Sequence, residues 1–222
     1  LGYLPEALLN FLVRLGWSNK DQEIFSMQEM LELFDPKNIN KSASAYNAEK
    51  LLWLNSEYIK AISNERLIKE LKFFDLDLSN YSKKEEILNL SKQRANTLIE
   101  LKKSIEDIKN EPQDFEEAGV KKFIKDDTNE ILKDYLALLE ANKDKFLSVT
   151  ELENVTKPFI EQKSLKFPQL FQPIRIALTG GTQAPSVYDI LFILGFEEAQ
   201  KRILKALEKN FKNSWLLEKF KA

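Results

Sequence analysis

An all-α fold is predicted by three features of this 222-residue sequence. Apolar residues recur at three-and-four spacing along most of the chain, the period of helices with one buried face. Only 6 glycines and 7 prolines interrupt it, too few for many short strands joined by turns. Hydrophobic content is 43% and charged content 31%, the balance of a globular protein that can fill a core. Helices joined by short loops is the architecture these features imply.

Taken in order, Leu4, Leu8, Phe11, Leu12 and Leu15 make the stripe of a first helix. Pro5 stands near its start and Gly16 at its stop. Met27, Met30, Leu31 and Phe34 mark a second, capped by Ser26. Asp35-Pro36 ends it, because the residue before proline is pushed out of the helical region. A polar turn, Asn38 to Ser44, leads to a third helix from Asn47, as its cap, to Ile62. Leu51, Leu54, Tyr58 and Ile62 share one face, widened by Leu52 and Ile59, while Trp53 lies towards the other side and packs on a neighbouring helix. Residues 64–78 form a helix with Leu67, Leu71 and Phe74 as its spine. The polar DLDLSNYSKKEE follows, and a domain boundary is placed near residue 78.

The second domain, residues 79–222, has a sub-boundary near 145. Ile87, Leu88 and Leu90 open one helical pattern in it; Leu98, Leu101, Ile105 and Ile108 carry the next. NEPQDFEEAG, residues 110–119, reads as a connector with little periodicity. Thr128 caps a helix through Ile131, Leu132, Tyr135, Leu138 and Leu139. Residues 149–160 form another, ended or kinked at Lys157-Pro158. Leu170, Phe171, Ile174 and Leu178 then line a helix starting at Pro173, whose missing N–H costs nothing in a first turn. Gly180 and Gly181 suit the left-handed conformation that ends a helix. Pro185 takes the place of a first helical residue, and Val187, Ile190, Leu191 and Leu194 mark the next stripe. Phe196, Ala199, Ile203, Ala206 and Leu207 form the last amphipathic helix, whose polar side carries Lys201, Arg202, Lys205 and Lys209. The tail FKNSWLLEKFKA is open between a short extra helix and a loose end.

Composition removes several chemistries. The chain has no cysteine and no histidine, hence no disulfide, thiol nucleophile, Cys/His zinc site or Ser-His-Asp arrangement. Adjacent carboxylates such as Glu85-Glu86 and Asp126-Asp127 do not face one another on a helix, so no catalytic residue and no metal ligand is assigned. The TGGTQAPS turn lacks the lysine and Ser/Thr of a phosphate-binding glycine loop, and no β-run precedes it. No run reaches the roughly 18 apolar residues that span a bilayer, and no signal peptide is present. Net charge is −2, but residues 166–222 hold 9 basic against 5 acidic side chains, and the rest 24 against 30. A mildly basic C-terminal end can approach a phosphate backbone. Arg175 sits just ahead of the Gly-Gly turn, one turn off the apolar positions.

FQPIRIALTGGTQAPSVYDILFILG, residues 171–195, resembles the C-terminal signature of bacterial-type glutamyl-tRNA synthetases: Pro-Leu-Arg, Ala-Leu-Thr-Gly, a proline-bearing loop and a helix ending in Leu-Leu-Gly. GYLPEALLNFLVRLGWS (2–18) and NKSASAYNAEKLLWLNSEYI (40–59) match the family in the same order. The resemblance implies a small stem-contact helical domain, residues 1–78, followed by an α-helix-cage anticodon-binding domain. It makes the chain the tRNA-binding C-terminal portion of an enzyme that attaches glutamate to its tRNA. That parent would use ATP and Mg; the His-Ile-Gly-His signature and a Lys-Met-Ser-Lys-like loop are absent here, so the chain itself is expected to hold no cofactor and to be inactive alone. Starting without Met, it reads as a piece of something longer.

By the same resemblance Arg175 reads an anticodon base, with Ala184, Pro185 and Val187 shaping the base pocket. Several relatives have threonine at the Ala184 position, whose hydroxyl is missing here. Arg94, in the run Arg94, Thr97, Leu98, Glu100, Leu101, is a further anticodon candidate. Lys41, Lys50 and Asn55 are placed near tRNA phosphates, and Lys201, Arg202 and Lys205 form a basic face for the anticodon stem. Arginine suits the reading role because its guanidinium presents donors in a fixed fork, and RNA readers engage unstacked loop bases. The implied partner is glutamate tRNA, without DNA or membrane, for a monomeric cytoplasmic protein. The competing reading is a non-catalytic helical protein-interaction module whose basic face is merely solvated.

Overall fold

The computed structural model describes residues 1–40, 45–146 and 148–212. Among them are eleven α-helices and no strand, as the periodicity predicts. The chain divides into two compact units, Leu1–Ser104 and Ile105–Ala222.

The first unit opens with α1 (Pro5–Gly16), where Pro5 is the first helical residue. The buried face is Leu4, Ala7, Asn10 and Phe11. This corrects the expected stripe, because Leu8 and Leu12 face solvent. Asn10 decides which side goes in: its Nδ2 donates to the Glu23 carbonyl and its Oδ1 accepts from Phe25 N–H, which ties the following loop to that face. The short α2 (Met27–Leu33) has the expected Ser26 cap, reciprocated by Glu29 in a capping box. Only Met30 of its apolar residues is buried; it joins Trp17 and Phe25 in a small core.

The third helix, α3 (Ala48–Ala61), is capped by Asn47 as predicted. Leu51 and Leu54 pack on Phe11. Trp53, expected against a neighbouring helix, is 43% exposed. Next, α4 (Asn64–Lys72) buries Leu67 and Leu71 behind the Ser63 cap. The unit does not end near residue 78. Leu76 and Leu78 enter the core, Asn64 bonds Glu85 and Asn89 of α5 (Lys84–Lys92), and α5 packs on α3 and α4. The division falls inside α6 (Leu98–Lys109), whose Leu98, Leu101, Ile105 and Ile108 are all buried.

The second unit holds one helix that the sequence does not announce, α7 (Glu117–Phe123), whose first residues fall in the stretch read as a connector. In α8 (Thr128–Ala141) Thr128 is the first helical residue, and its hydroxyl accepts from Lys125 N–H. Neither proline bounds its helix. α9 (Val149–Gln162) runs through Pro158, and α10 begins at Phe167, six residues before Pro173, and ends at Thr179. A helical proline loses one hydrogen bond; Ile174, Ile176, Ala177 and Leu178, all buried, keep the rod intact around it. The last helix, α11, spans Val187–Glu208 with a break at Gly195, where φ is 74°. It starts two residues after Pro185, not at it. Phe211 closes the core on Phe115, ring centroids 5.6 Å apart. No described helix is long and apolar enough to cross a membrane. The open alternatives for the tail lie, from residue 213, outside the described residues.

Candidate nucleic-acid interface

The α10–α11 corner is built from the end of α10 outward. Gly180 caps the helix at φ 81°, ψ −17°, and its N–H returns to the Ile176 carbonyl. That conformation favours glycine. Space enforces it too, since a Cβ there would lie 2.9 Å from the Asp114 carbonyl oxygen. The Gly180 carbonyl accepts from Glu116 N–H at 2.7 Å. The Glu116 carboxylate then accepts from both the backbone N–H and the hydroxyl of Thr182, at 2.7 and 2.6 Å. These two Thr182 bonds hold the Glu116 carboxyl below its ordinary range. Residues 110–119, read from sequence as a plain connector, are therefore a strap that grips the turn.

Arg175 grips the other side: its Nη2 donates to the Pro185 carbonyl at 3.1 Å, one helical turn from the bond between the Thr179 hydroxyl and the Arg175 carbonyl. Held at both ends, the turn leaves Gln183 and Ser186 exposed and Ala184 half-buried, with Pro185 and Val187 inside. Beside it lies a groove of about 470 Å³ lined by Glu153, Lys157, Ile160, Phe167, Ser186 and Tyr188, among others. Phe167 is 61% exposed and leans on Phe171, centroids 4.1 Å apart; Phe171 in turn meets Tyr188 edge-on. Burial pushes the Tyr188 hydroxyl up to about 12, so it stays a neutral donor. An exposed ring with hydroxyl, ammonium and carboxylate at its rim is suited to stacking and edge recognition of an unpaired base. Among the described residues no cluster of acidic groups could hold a metal ion.

The remaining candidates belong to other segments of the chain. Arg94 is exposed in the turn between α5 and α6. Lys50 reaches Glu23 at 2.8 Å, and Lys41 lies outside the described residues. Two assignments are corrected. Asn55 is fully buried: its Oδ1 accepts from Leu4 N–H at 2.8 Å and its Nδ2 donates to the Asn96 carbonyl, clamping the N-terminal segment and the approach to α6 onto α3. Arg202 is 2% exposed. It donates to the carbonyls of Ile108, Lys109 and Leu178 and pairs with Glu198. It closes the C-terminal ends of α6 and α10, where helix carbonyls lack partners.

Lys201 and Lys205 remain at the surface, both paired with Glu111. The two ammonium groups, Lys201 first, pull the Glu111 carboxyl down to about 2. A depressed carboxylate stabilises the fold above its unfolded value and loses that contribution as pH falls through the folded one. Wild-type stability should therefore fall more steeply between about pH 4.5 and 2 than that of Glu111→Gln. The difference is at most about 1.4 kcal/mol per pH unit, one proton's worth. Denaturation midpoints along a pH series would read it; parallel curves would show that the pairs contribute nothing.

Residues 49–207 match the family model of an anticodon binding domain. Residues 1–53 match that of the catalytic domain of class I tRNA synthetases (E and Q). Glutamate–tRNA ligase 1 of Aliarcobacter butzleri (strain RM4018) is 76% identical over 214 residues, covering 96% of this chain and 46% of the relative. Glutamate–tRNA ligase 2 of Campylobacter fetus subsp. fetus (strain 82-40) is 48% identical over 209 residues, covering 94% and 45%. The crystal structure of a glutamate tRNA ligase from Elizabethkingia meningosepticum CCUG26117, in complex with its amino acid, superposes with a TM-score of 0.82 at 30% identity. That match covers 93% of this chain and 41% of the other. The chain thus spans less than half the length of these relatives.

Proposed function

We propose, because the chain belongs to the anticodon-binding domain family found in glutamate–tRNA ligases, that it holds the anticodon arm of a glutamate tRNA for such an enzyme. The observation that carries this is the doubly gripped turn, fixed by Arg175 and Glu116 next to an exposed aromatic ring. A turn fixed before binding gives up little conformational freedom when a base docks. The bond to Pro185 aims the Arg175 guanidinium at the turn. The fork then reads a base edge, Phe167 stacks a base, and Ser186 and Gln183 supply adaptable polar contacts. In this reading Pro185 and Val187 shape the pocket from below, since they are buried. Arg94, in the first unit, is a second anticodon contact.

Phosphates are met by Lys201, Lys205 and Lys50. Each would exchange its carboxylate partner, Glu111 or Glu23, for a phosphate oxygen. ATP-dependent attachment of glutamate belongs to a catalytic domain of which residues 1–53 match only a part; this chain alone does not activate glutamate. It acts as a monomer in the cytoplasm.

Titration with a glutamate tRNA transcript over a salt series tests this reading. Affinity should fall by roughly 0.7 to 0.9 log units per tenfold salt for each phosphate met. Lys201→Glu with Lys205→Glu should flatten that slope. Absence of binding at low salt would favour a helical protein-interaction module.

A further inference from the structure

Two helical segments make up α11, and they meet at Gly195. There φ is 74° and ψ 170°, a region that residues with side chains scarcely enter. Crowding is not what requires glycine, since a Cβ would have no atom within 4 Å. The requirement lies in the phase of two buried stripes. Val187, Ile190 and Leu191 are buried before the break, and Ala199, Ile203 and Ala206 after it. Counted along one unbroken helix, the second set lies about a third of a turn round from the first. Lys205 would then follow the buried Val187 by about five whole turns and head for the core, while Ile203 would face solvent. The break exchanges them: Ile203 is fully buried, and the side chains of Lys201 and Lys205 are 58% and 36% exposed. Glu197 and Glu198 stand in the first turn of the second segment, where a helix start favours acidic side chains.

We infer that Gly195 is a positioning residue for RNA: the twist it allows sets the Lys201–Lys205 face against the α10–α11 turn so that one RNA hairpin meets both. A loop base docks at the turn, which the first segment carries through Ser186 and Tyr188, while stem phosphates dock at the lysines of the second. Two contacts on one ligand reinforce each other only when geometry permits both at once. Gly195 itself touches no RNA. The inference rests on the anticodon reading given above, and adds the residue that joins its two contacts.

The test titrates two RNAs, an anticodon hairpin of glutamate tRNA and its loop as an unpaired oligonucleotide. The proteins are the unaltered chain, Lys201→Gln with Lys205→Gln, Gly195→Ala, and all three changes together, each checked for helix content. The lysine variant is expected to lose about tenfold or more in affinity for the hairpin and little for the loop oligonucleotide. Gly195→Ala should lose as much on the hairpin, and adding the lysine changes to it should cost nothing further, because residues serving one joint contact are not additive. Losses that add, or hairpin binding by Gly195→Ala as tight as that of the unaltered chain, would overturn the inference. Should Gly195→Ala fail to fold, the lysine variant decides: a loss confined to the hairpin supports the joint contact, and an equal loss on both RNAs overturns it. Hairpin binding with additive losses sinks this inference alone, whereas no hairpin binding by the unaltered chain sinks the anticodon reading and this inference with it.

Discussion

Arg202→Ala is expected to destabilise the second unit by about 3–5 kcal/mol, the combined cost of several buried acceptors left without their donor. The reason is geometric. Three carbonyls, from Ile108, Lys109 and Leu178, converge on one guanidinium that is 2% exposed. Alanine leaves these acceptors facing a hole too enclosed for ready hydration, and leaves Glu198 with Lys201 as its remaining cation. Each buried acceptor left unsatisfied costs about 1–3 kcal/mol. Arg202→Lys should recover little, since one ammonium cannot reach acceptors on two helix ends as a planar fork does. Urea unfolding would show a lower midpoint with an unchanged slope. A loss under about 1 kcal/mol would mean that water replaces the side chain and that the closure of α6 and α10 is incidental. Because α10 leads into Gly180, the same variant should also weaken RNA binding by loosening the corner.

Much of the helical framework was legible. Ser26 and Asn47 announced caps, Pro5 a start, and Gly180 a left-handed stop, each through local chemistry that distant residues do not override. The α6 stripe from Leu98 to Ile108 was equally plain. Prolines were read too strictly: Pro158 and Pro173 sit inside α9 and α10, since burial of the flanking residues outweighs one missing hydrogen bond. α7 was missed because its seven residues, EAGVKKF, are too few to establish a period and include a glycine. That glycine is required by packing, as a Cβ at Gly119 would stand 2.5 Å from the Thr182 side chain.

Polar residues were the harder part. Asn55 and Arg202 were assigned to RNA by residue type and by resemblance, yet their partners lie 51 and 94 positions away along the chain. No local pattern signals a side chain that meets backbone so remote. Leu8 and Leu12 were read inward for the complementary reason: periodicity shows that a helix has apolar faces, and does not say which of two is covered. The corner itself was located from Gly180 and Arg175. Its second grip, Glu116 on Thr182, was hidden because EEAG following a proline-bearing stretch looks like solvated linker. The one available signal was an acidic residue just before a helix start.

The most direct measurement compares Arg175→Ala and Arg175→Lys with the unaltered chain on two transcripts of glutamate tRNA, one carrying the cognate anticodon and one altered at the contacted base. Arg175→Ala is expected to lower affinity for the cognate transcript by about 1–3 kcal/mol, and much less for the altered one. Its unfolding stability should fall by about 1 kcal/mol, the net worth of the bond to the Pro185 carbonyl. Lysine separates bracing from reading: it can still donate to that carbonyl, but lacks the planar pair of donors. Arg175→Lys should therefore unfold near the unaltered chain while discriminating between the transcripts no better than Arg175→Ala. Equal losses on both transcripts, with the fold preserved, would contradict base reading by Arg175 and reduce it to a phosphate contact or a brace for the turn.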